Sequence, residues 1–402
     1  MTERMDAFTT PLPKDWEIKT FRDISTINQG LQIPISQRLK APTEHAKFYI
    51  TIQALNNRKE FEYIKTYNES VVCHKDDILM TRTGNTGMVI TNIEGVFHNN
   101  FFKINFDRTL INKDFLVYFL SLEQTQKTIL KKAGTSTIPD LNHNDFYSLS
   151  IPLPPLNEQI AIANILSDVD HYLYTLDALI LKKESVKKAL SFELLSQRKR
   201  LKGFNQAWQR VRLGTYKYRR GSFPQPYGNP QWYSDNGMPF VQVYDVGENF
   251  KLTQKTKQKI SKIAQPMSVF VPKNSVIITL QGTIGRVALT QYDCYCDRTI
   301  LIFDNNTLND VNKYFFVLSL FTKFEEEKRK ADGSIIKTIT KQTLKDFEIP
   351  LPPLNEQIAI ANILSDADHE IISLKNKKRQ FENIKKALNH DLMSAKIRVL
   401  KK

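Results

Sequence analysis

The chain has 402 residues, with 57 Lys and Arg against 42 Asp and Glu, so its formal net charge is +15. This length is enough for two ordinary domains, and the contents of 41% hydrophobic and 10% aromatic residues are typical of a globular protein. No apolar run approaches the roughly 20 residues that span a membrane. The polar first residues lack a signal-peptide core and three cysteines imply no disulfide framework, so we expect a cytoplasmic protein. The basic surplus suggests a polyanionic partner.

The first half predicts a mixed α/β domain. Strands are expected in three places, at 16–21, 77–81 and 96–106. The glycines in residues 82–87 (RTGNTG) favour a tight turn. Asn112 is placed to start a helix whose apolar face would consist of Phe115, Leu116, Phe119 and Leu122.

A sequence of 21 residues occurs twice. Residues 151–171 read IPLPPLNEQIAIANILSDVDH, and residues 349–369 repeat them with alanine in place of Val169. In each copy the prolines favour an extended segment, and Asn157 is predicted to cap the helix that follows. The turn glycines at 84 and 87 recur at 282 and 285 with the same offset. The chain is therefore an internal duplication.

A long amphipathic helix is predicted after each copy. Apolar residues recur there at alternating spacings of four and three, as in a coiled coil. The first seam runs through Ile162, Leu166, Val169, Leu173, Leu176, Ile180, Leu190 and Leu194. The second runs through Ile360, Leu364, Ala367, Ile371, Leu374, Phe381, Leu388 and Leu392. The predicted fold class is α+β: two similar α/β domains, 1–150 and 201–348, separated by a pair of long antiparallel coiled-coil helices, 151–200 and 349–402.

No catalytic or metal site emerges from the sequence. The glycine turns lack the phosphate-loop pattern and a following helix, so they are predicted to be hairpin turns. Cys294 and Cys296 lack a second ligand pair at zinc spacing. Residues 229–232 (NPQW) match only part of the Asn-Pro-Pro-aromatic loop of adenine methyltransferases, and no glycine-rich cofactor loop accompanies them. We therefore expect no catalytic residue, metal ligand or cofactor in this chain.

Several turn and loop residues carry side chains suited to base edges or phosphates. Turn position and side-chain type select Arg82, Thr83, Asn85, Thr86, Thr135, Ser136, Arg219, Arg220, Tyr227, Gln281, Thr283, Arg286, Ser334 and Lys337 as DNA-binding candidates. The alternative for each is an ordinary loop residue. Lysines and arginines also concentrate between 182 and 220, where they either neutralise phosphates or form solvated helix faces.

The repeated sequence, I-P-L-P-P-L-x-E-Q followed by a helix, resembles the conserved regions of the specificity (S) subunit of Type I restriction–modification systems. The resemblance covers the whole chain, and Trp16 and Trp208 fit the tryptophan strand that opens each target recognition domain in that family. It implies that each domain reads one half of a bipartite double-stranded DNA site. It also implies that the helices set the spacing and dock two methylation (M) subunits. The docking candidates are Pro154, Pro155, Asn157, Glu158, Gln159, Pro352, Pro353, Asn355, Glu356 and Gln357.

The same resemblance implies a non-catalytic subunit whose partners use S-adenosylmethionine, ATP and Mg²⁺, and it leaves restriction (R) subunits open as further partners. Two alternatives remain. A coiled-coil scaffold that binds only protein leaves the basic surplus unexplained. A self-contained DNA methyltransferase or nuclease conflicts with the missing cofactor loop.

Overall fold

The computed structural model describes residues 12–56, 61–247, 249–282, 284–330 and 341–399. The chain divides into two units: unit 1 is Met1–Ala178 with Asn376–Lys402, and unit 2 is Leu179–Lys375. Each unit thus contains one domain, the first part of the long helix that follows it and the last part of the other long helix. Within the described ranges, no helix is long and apolar enough to cross a membrane.

The elements of the first half begin with a strand and end with a long helix. Its strands are β1 (Glu17–Thr20), β2 (Ser25–Gln29), β3 (Lys47–Ile50), β4 (Tyr63–Ile64), β5 (Val72–Cys73), β6 (Ile78–Thr81), β7 (Val89–Ile90), β8 (Gly95–Phe97), β9 (Phe101–Phe106) and β10 (Ser150–Leu153). Its helices are α1 (Phe21–Ile24), α2 (Ile52–Asn56), α3 (Lys113–Leu120), α4 (Glu123–Ala133), α5 (His143–Tyr147) and α6 (Leu156–Leu195).

The second half repeats this plan. Its strands are β11 (Gln209–Arg212), β12 (Tyr218–Arg220), β13 (Tyr233–Val241), β14 (Gln258–Ile260), β15 (Val269–Val271), β16 (Val276–Thr279), β17 (Val287–Leu289), β18 (Cys294–Cys296), β19 (Ile300–Phe303) and β20 (Glu348–Leu351). Its helices are α7 (Lys313–Lys330), α8 (Lys341–Asp346) and α9 (Leu354–Met393).

The two domains share one sheet topology. In unit 1 the strand orders are β1-β10, β2-β9-β6-β7 and β4-β3-β8-β5; in unit 2 they are β11-β20, β12-β19-β16-β17 and β14-β13-β18-β15. All of these pairs are antiparallel except β3 with β8 and β13 with β18. The predicted internal duplication and α+β class are confirmed.

Local sequence explains the elements of unit 1. The β6 side chains are all buried, and α3 covers this sheet with Phe115 and Phe119, so apolar burial holds strand and helix together. Asn112 caps α3 as predicted, because its side-chain oxygen accepts the Phe115 N–H at 2.9 Å. The predicted strand 96–106 is instead two strands, since residues 98–100 turn between β8 and β9.

The long helices run antiparallel within each unit. In unit 1, Asp170 pairs with Lys385 and Asp177 with Lys378, so residue numbers rise along one helix as they fall along the other. In unit 2, Lys183 pairs with Glu370 and Lys187 with Asp368. Lys183, Lys187, Lys378 and Lys385 are therefore interhelical ion-pair partners. The ion pairs support neither of the two predicted roles for these four lysines, a solvated helix face or a phosphate contact.

Helix α6 begins earlier than Asn157, so the prediction that Asn157 is its cap is wrong. The helix starts at Leu156, and the Pro155 carbonyl accepts the N–H groups of Glu158 and Gln159 at 2.9 and 3.0 Å. Because Pro155 has a fixed φ and precedes the first turn, it supplies the helix start instead. The preceding residues belong to the domain, since β10 pairs with β1.

Candidate nucleic-acid interface

A buried carboxylate joins the start of each long helix to its domain. In unit 1, Glu158 is 2% exposed and accepts hydrogen bonds from Trp16 Nε1 at 3.0 Å and from Arg398 Nε and Nη2 at 2.7 and 2.9 Å. In unit 2, Glu356 is 1% exposed and accepts from Trp208 Nε1 at 2.9 Å and from Arg200 Nε and Nη2 at 3.2 and 2.7 Å. Because each carboxylate is paired and hydrogen-bonded, its burial is tolerated.

The glutamine that follows makes a second joint. The Gln159 side chain accepts the Asn112 N–H at 2.9 Å and donates to the carbonyls of Leu110 and Pro154 at 3.0 and 2.9 Å. Gln357 accepts the N–H of Asn312 at 2.8 Å and donates to the carbonyls of Asp310 and Pro352. Among the described residues, the bonding partners of both amides are backbone atoms.

These contacts separate the predicted docking residues into two groups. Four are buried side chains bonded inside their own unit, so their burial does not support a role in docking: Glu158, Gln159, Glu356 and Gln357. Pro154 and Pro352 are also buried, and Pro353 is half-buried. The exposed ones are Pro155, Asn157 and Asn355.

The exposed faces of the two repeated helices carry the same side chains. In unit 1, Asn157, Ile160 and Asn164 lie on the surface of α6, and Ile160 is 41% exposed. In unit 2, the same face of α9 carries Asn355, Ile358 and Asn362, and Ile358 is again 41% exposed. We call these residues the α6 face and the α9 face. Because spacings of three and four place them on one side of a helix, each face can contact one partner.

The turn 82–87 is fastened to the loop before α5. Arg82 donates to the Asp140 carboxylate at 2.7 Å, Thr83 also bonds to Asp140, and Thr86 donates to the Pro139 carbonyl at 2.7 Å. Gly84 and Gly87 have φ of 87° and 90°, which explains why glycine occupies both positions. These contacts leave Asn85 as the exposed polar side chain of the turn.

Several amide side chains of unit 1 lie on or beside segments that contact this turn. The Gln29 amide donates to the Asn99 carbonyl at 3.3 Å, and the Asn99 amide donates to the Gln32 side chain at 3.3 Å. Gln53 is exposed on α2, whose Ile52 lies against Gly84. The turn also contacts this group directly, since the Arg82 N–H donates to the Asn100 carbonyl at 2.7 Å. We call Gln29, Gln32, Gln53, Asn85 and Asn99 the amide patch.

Aromatic and cationic side chains occupy the corresponding surface of unit 2. Tyr244 is 48% exposed and its ring centroid lies 5.0 Å from Lys257 Nζ. The Arg298 guanidinium lies 5.3 Å from the centroid of the Tyr227 ring, and the Tyr227 hydroxyl donates to Asp297. Burial raises the pKa of this hydroxyl and Asp297 raises it further, so the phenol stays protonated. We call Arg220, Tyr227, Tyr244, Lys257 and Arg298 the tyrosine–cation patch.

Identical backbone contacts show which positions of the two patches correspond. A Cβ on Gly30 would lie 2.3 Å from the carbonyl oxygens of Phe97 and His98, and one on Gly221 would lie 2.3 Å from those of Cys296 and Asp297. Residue 98 therefore matches 297, and residue 99 matches 298. Likewise, the residue before each glycine matches, which pairs Gln29 with Arg220.

A third match follows from the parallel strands. Ile50 pairs with Phe97, and Val241 pairs with Cys296. Three residues further on, Gln53 therefore matches Tyr244. At three matched surface positions unit 1 has an amide, whereas unit 2 has arginine, tyrosine and arginine.

The remaining DNA-binding candidates lie in several places. Thr135 and Ser136 are exposed after α4, and Arg219 is exposed on β12, where it donates to the Phe270 carbonyl at 3.1 Å. Gln281 is exposed on the unit 2 turn, and Arg286 donates to the Val246 carbonyl at 3.1 Å. Thr283, Ser334 and Lys337 lie outside the described residues. The DNA-binding assignments remain predictions.

Sequence reasoning missed Gln29, Gln53, Asn99, Tyr244 and Arg298. The offset that superimposes the turn glycines does not superimpose these residues, because the loops between the strands differ in length. The signal that could have identified them is a glycine directly after Gln29 and Arg220, at positions 30 and 221. It has to be combined with the pairing of β3 with β8 and of β13 with β18. Within the described residues, no group of three or more His, Cys, Asp or Glu side chains could hold a metal ion.

Comparisons with known proteins agree with this architecture. Residues 13–184 and 225–383 match the family described as Type I restriction modification DNA specificity domain. The MjaX and MjaVIII type I restriction enzyme specificity subunits of Methanocaldococcus jannaschii, the first named provisionally, are 27% and 25% identical to this chain. Each alignment covers 96% of this chain, with 95% of the MjaX and 94% of the MjaVIII protein. The crystal structure of the M. genitalium S subunit has the same fold, with a TM-score of 0.58 and 16% identity over 96% of this chain and 98% of that one.

Proposed function

Since this chain belongs to the family of the Type I restriction modification DNA specificity domain, we propose that it selects the DNA sequence on which a Type I restriction–modification complex acts. Each domain reads one half of a bipartite site in double-stranded DNA. The observation that supports this most directly is one architecture used twice with unlike side chains at matched surface positions. Two different half-sites require such a pair of readers, since base edges are distinguished by side-chain donors and acceptors.

The two methylation subunits dock on the α6 face and the α9 face. Each face presents an exposed isoleucine between two exposed asparagines, and the two faces are identical although the recognition patches differ. The Asn157 and Asn355 side chains accept the N–H groups of Glu158 and Glu356 at 3.0 and 2.9 Å, so the first helical turn uses them. Two identical partners account for the identity of the exposed isoleucines. The long helices set the separation of the half-sites; each has 40 residues, which corresponds to about 60 Å.

In this proposal the chain itself is non-catalytic. S-adenosylmethionine, ATP and Mg²⁺ are used by the methylation and restriction subunits. The names of the relatives as specificity subunits support this division of labour.

A domain exchange tests the proposal. Residues 1–150 would be replaced with the matching domain of a relative, and methylated adenines would be mapped in DNA exposed to the complex with methylation subunits. One half of the recognised sequence should change and the other half should stay. A change in both halves, or in neither, contradicts the modular reading. Methyl transfer or cleavage by the purified chain alone would indicate a self-contained enzyme, and the absence of a sequence-specific footprint from the complex would indicate a protein scaffold.

The docking faces can be tested separately. Ile160→Glu should remove one of the two methylation subunits from the purified complex and Ile358→Glu the other, because a charge replaces the apolar centre of the interface. An interface centre of this kind contributes at least about 2 kcal/mol, roughly a 30-fold loss of affinity. Ile18→Glu, at a 64% exposed residue of β1, is the matched control and should leave both subunits bound. Retention of two subunits by the double variant contradicts the assignment.

A further inference from the structure

The two patches differ in the bases that they are equipped to read. An Asn or Gln side chain matches the adjacent donor and acceptor of adenine in the major groove, whereas Arg matches the two acceptors of guanine. Unit 1 carries Gln29 and Asn99 where unit 2 carries Arg220 and Arg298. The two units are therefore expected to favour different bases, and not merely to contact different numbers of phosphates.

The surroundings of Asn99 suit a base contact. Its Oδ1 is buried and finds no hydrogen-bond partner among the described residues, while its amide nitrogen donates to Gln32 at 3.3 Å. An acceptor without a donor is unfavourable in the free protein. A rotation toward the N6 amino group of adenine would supply the missing donor, and the amide nitrogen would then face N7.

The surroundings of Arg298 suit a guanine contact. The residue is exposed, and its guanidinium lies 5.3 Å from the centroid of the Tyr227 ring. The ring restricts the guanidinium plane, so less conformational freedom is lost when it binds two acceptors. The Tyr227 hydroxyl is held by Asp297, the residue that precedes Arg298. The chain therefore orients both the ring and the cation.

Resting on the proposed function, we propose that Asn99 with Gln29 selects an A·T pair in the half-site read by unit 1, and that Arg298 with Arg220 selects a G·C pair at the matching position of the half-site read by unit 2. The two half-sites thus differ in base composition at corresponding positions. The difference arises from residues that occupy equivalent backbone positions in the two units.

Exchanging the matched residues tests this inference. The variants are Gln29→Arg with Asn99→Arg in unit 1, and Arg220→Gln with Arg298→Asn in unit 2. Each would be purified with the methylation subunits and incubated with S-adenosylmethionine and a randomised DNA library, and the methylated sequences would be read. The unit 1 variant should shift one position of one half-site from A·T to G·C, and the unit 2 variant should shift the other half-site in the opposite sense. The preference should change by about five- to 150-fold, the contribution of one bidentate base contact.

Controls separate the possible failures. Thr66→Arg, at an exposed position of unit 1 outside the amide patch, adds one positive charge, half of that added by the double variant, and should leave the recognised sequence unchanged. Asn99→Asp, a smaller change, should favour cytosine at the same position because a carboxylate only accepts; it provides the test if the arginine variant does not fold. An equal loss of methylation on all sequences, or an unchanged half-site in folded variants, overturns the inference. If the unaltered complex methylates no bipartite sequence at all, the proposed function itself fails.

Discussion

The buried carboxylate of unit 2 offers a quantitative test of how the long helix is joined to its domain. In Glu356→Gln one of the two oxygens becomes an amino group that faces the donors of Arg200 and Trp208, so the hydrogen bond to at least one of them is lost. Removing one partner of a fully buried ion pair costs about 3–5 kcal/mol. Because the Arg200 side chain is 31% exposed and water can reach it, we expect about 3 kcal/mol.

The duplication supplies an internal comparison. In unit 1, Arg398 also donates to Asp15 at 3.0 Å, whereas in the described part of unit 2 Arg200 bonds to the Gln206 carbonyl at 2.8 Å. Glu158→Gln leaves Arg398 with a carboxylate partner, so the loss should be smaller, about 2 kcal/mol.

Thermal unfolding of the whole chain would measure both losses. For a unit of this size each kcal/mol lowers Tm by roughly 2–4 °C, so Glu356→Gln should lower the unit 2 transition by about 6–12 °C. Glu348→Gln removes an exposed ion pair with Arg212 and is the control, with an expected loss below about 1 kcal/mol. If the unit 2 transition has the same Tm in Glu356→Gln as in this control, the buried carboxylate does not stabilise the contact between helix and domain, and the reasoning is refuted.

Two further predictions concern the backbone beneath the patches. Burial, and to a smaller extent Arg38, lowers the pKa of His98, so the folded state favours the neutral ring, whose Nδ1 accepts the Asn100 N–H at 3.1 Å. Stability should therefore be retained above the ordinary histidine pKa of about 6.5 and should fall as the pH is lowered through it. A Tm that does not change between about pH 7.5 and 5 contradicts this prediction. So does a Tm that falls equally over this range in His98→Gln. Gly221→Ala should destabilise unit 2 by about 3 kcal/mol or more, because the new Cβ overlaps two backbone carbonyl oxygens, whereas Gly228→Ala, with nothing within 4 Å of its Cβ, should be neutral in denaturant unfolding.

Local patterns predicted the repeated architecture well, because they depend on near neighbours. The glycine turn, the Asn112 cap and the 40-residue helices all follow from residue type and spacing. The candidate site was less accessible. Glu158 reads as an exposed first-turn acid, and only its tertiary partners Trp16 and Arg398 show that it is buried. Asn99 and Arg298 occupy equivalent places, but loops of unequal length hide the match until strand pairing shows it.

The amide joints made by Gln159 and Gln357 bear on how such a chain diversifies. Each glutamine recognises its domain through peptide N–H and C=O groups, which every amino acid carries. The contacts of these two glutamines are therefore independent of the side chains at the contacted positions, whereas the neighbouring Glu158 and Glu356 each bind a tryptophan side chain of the domain. A domain with another base preference can therefore replace the present one without a change in the helix. The incoming domain must place its backbone and its tryptophan where these contacts are made.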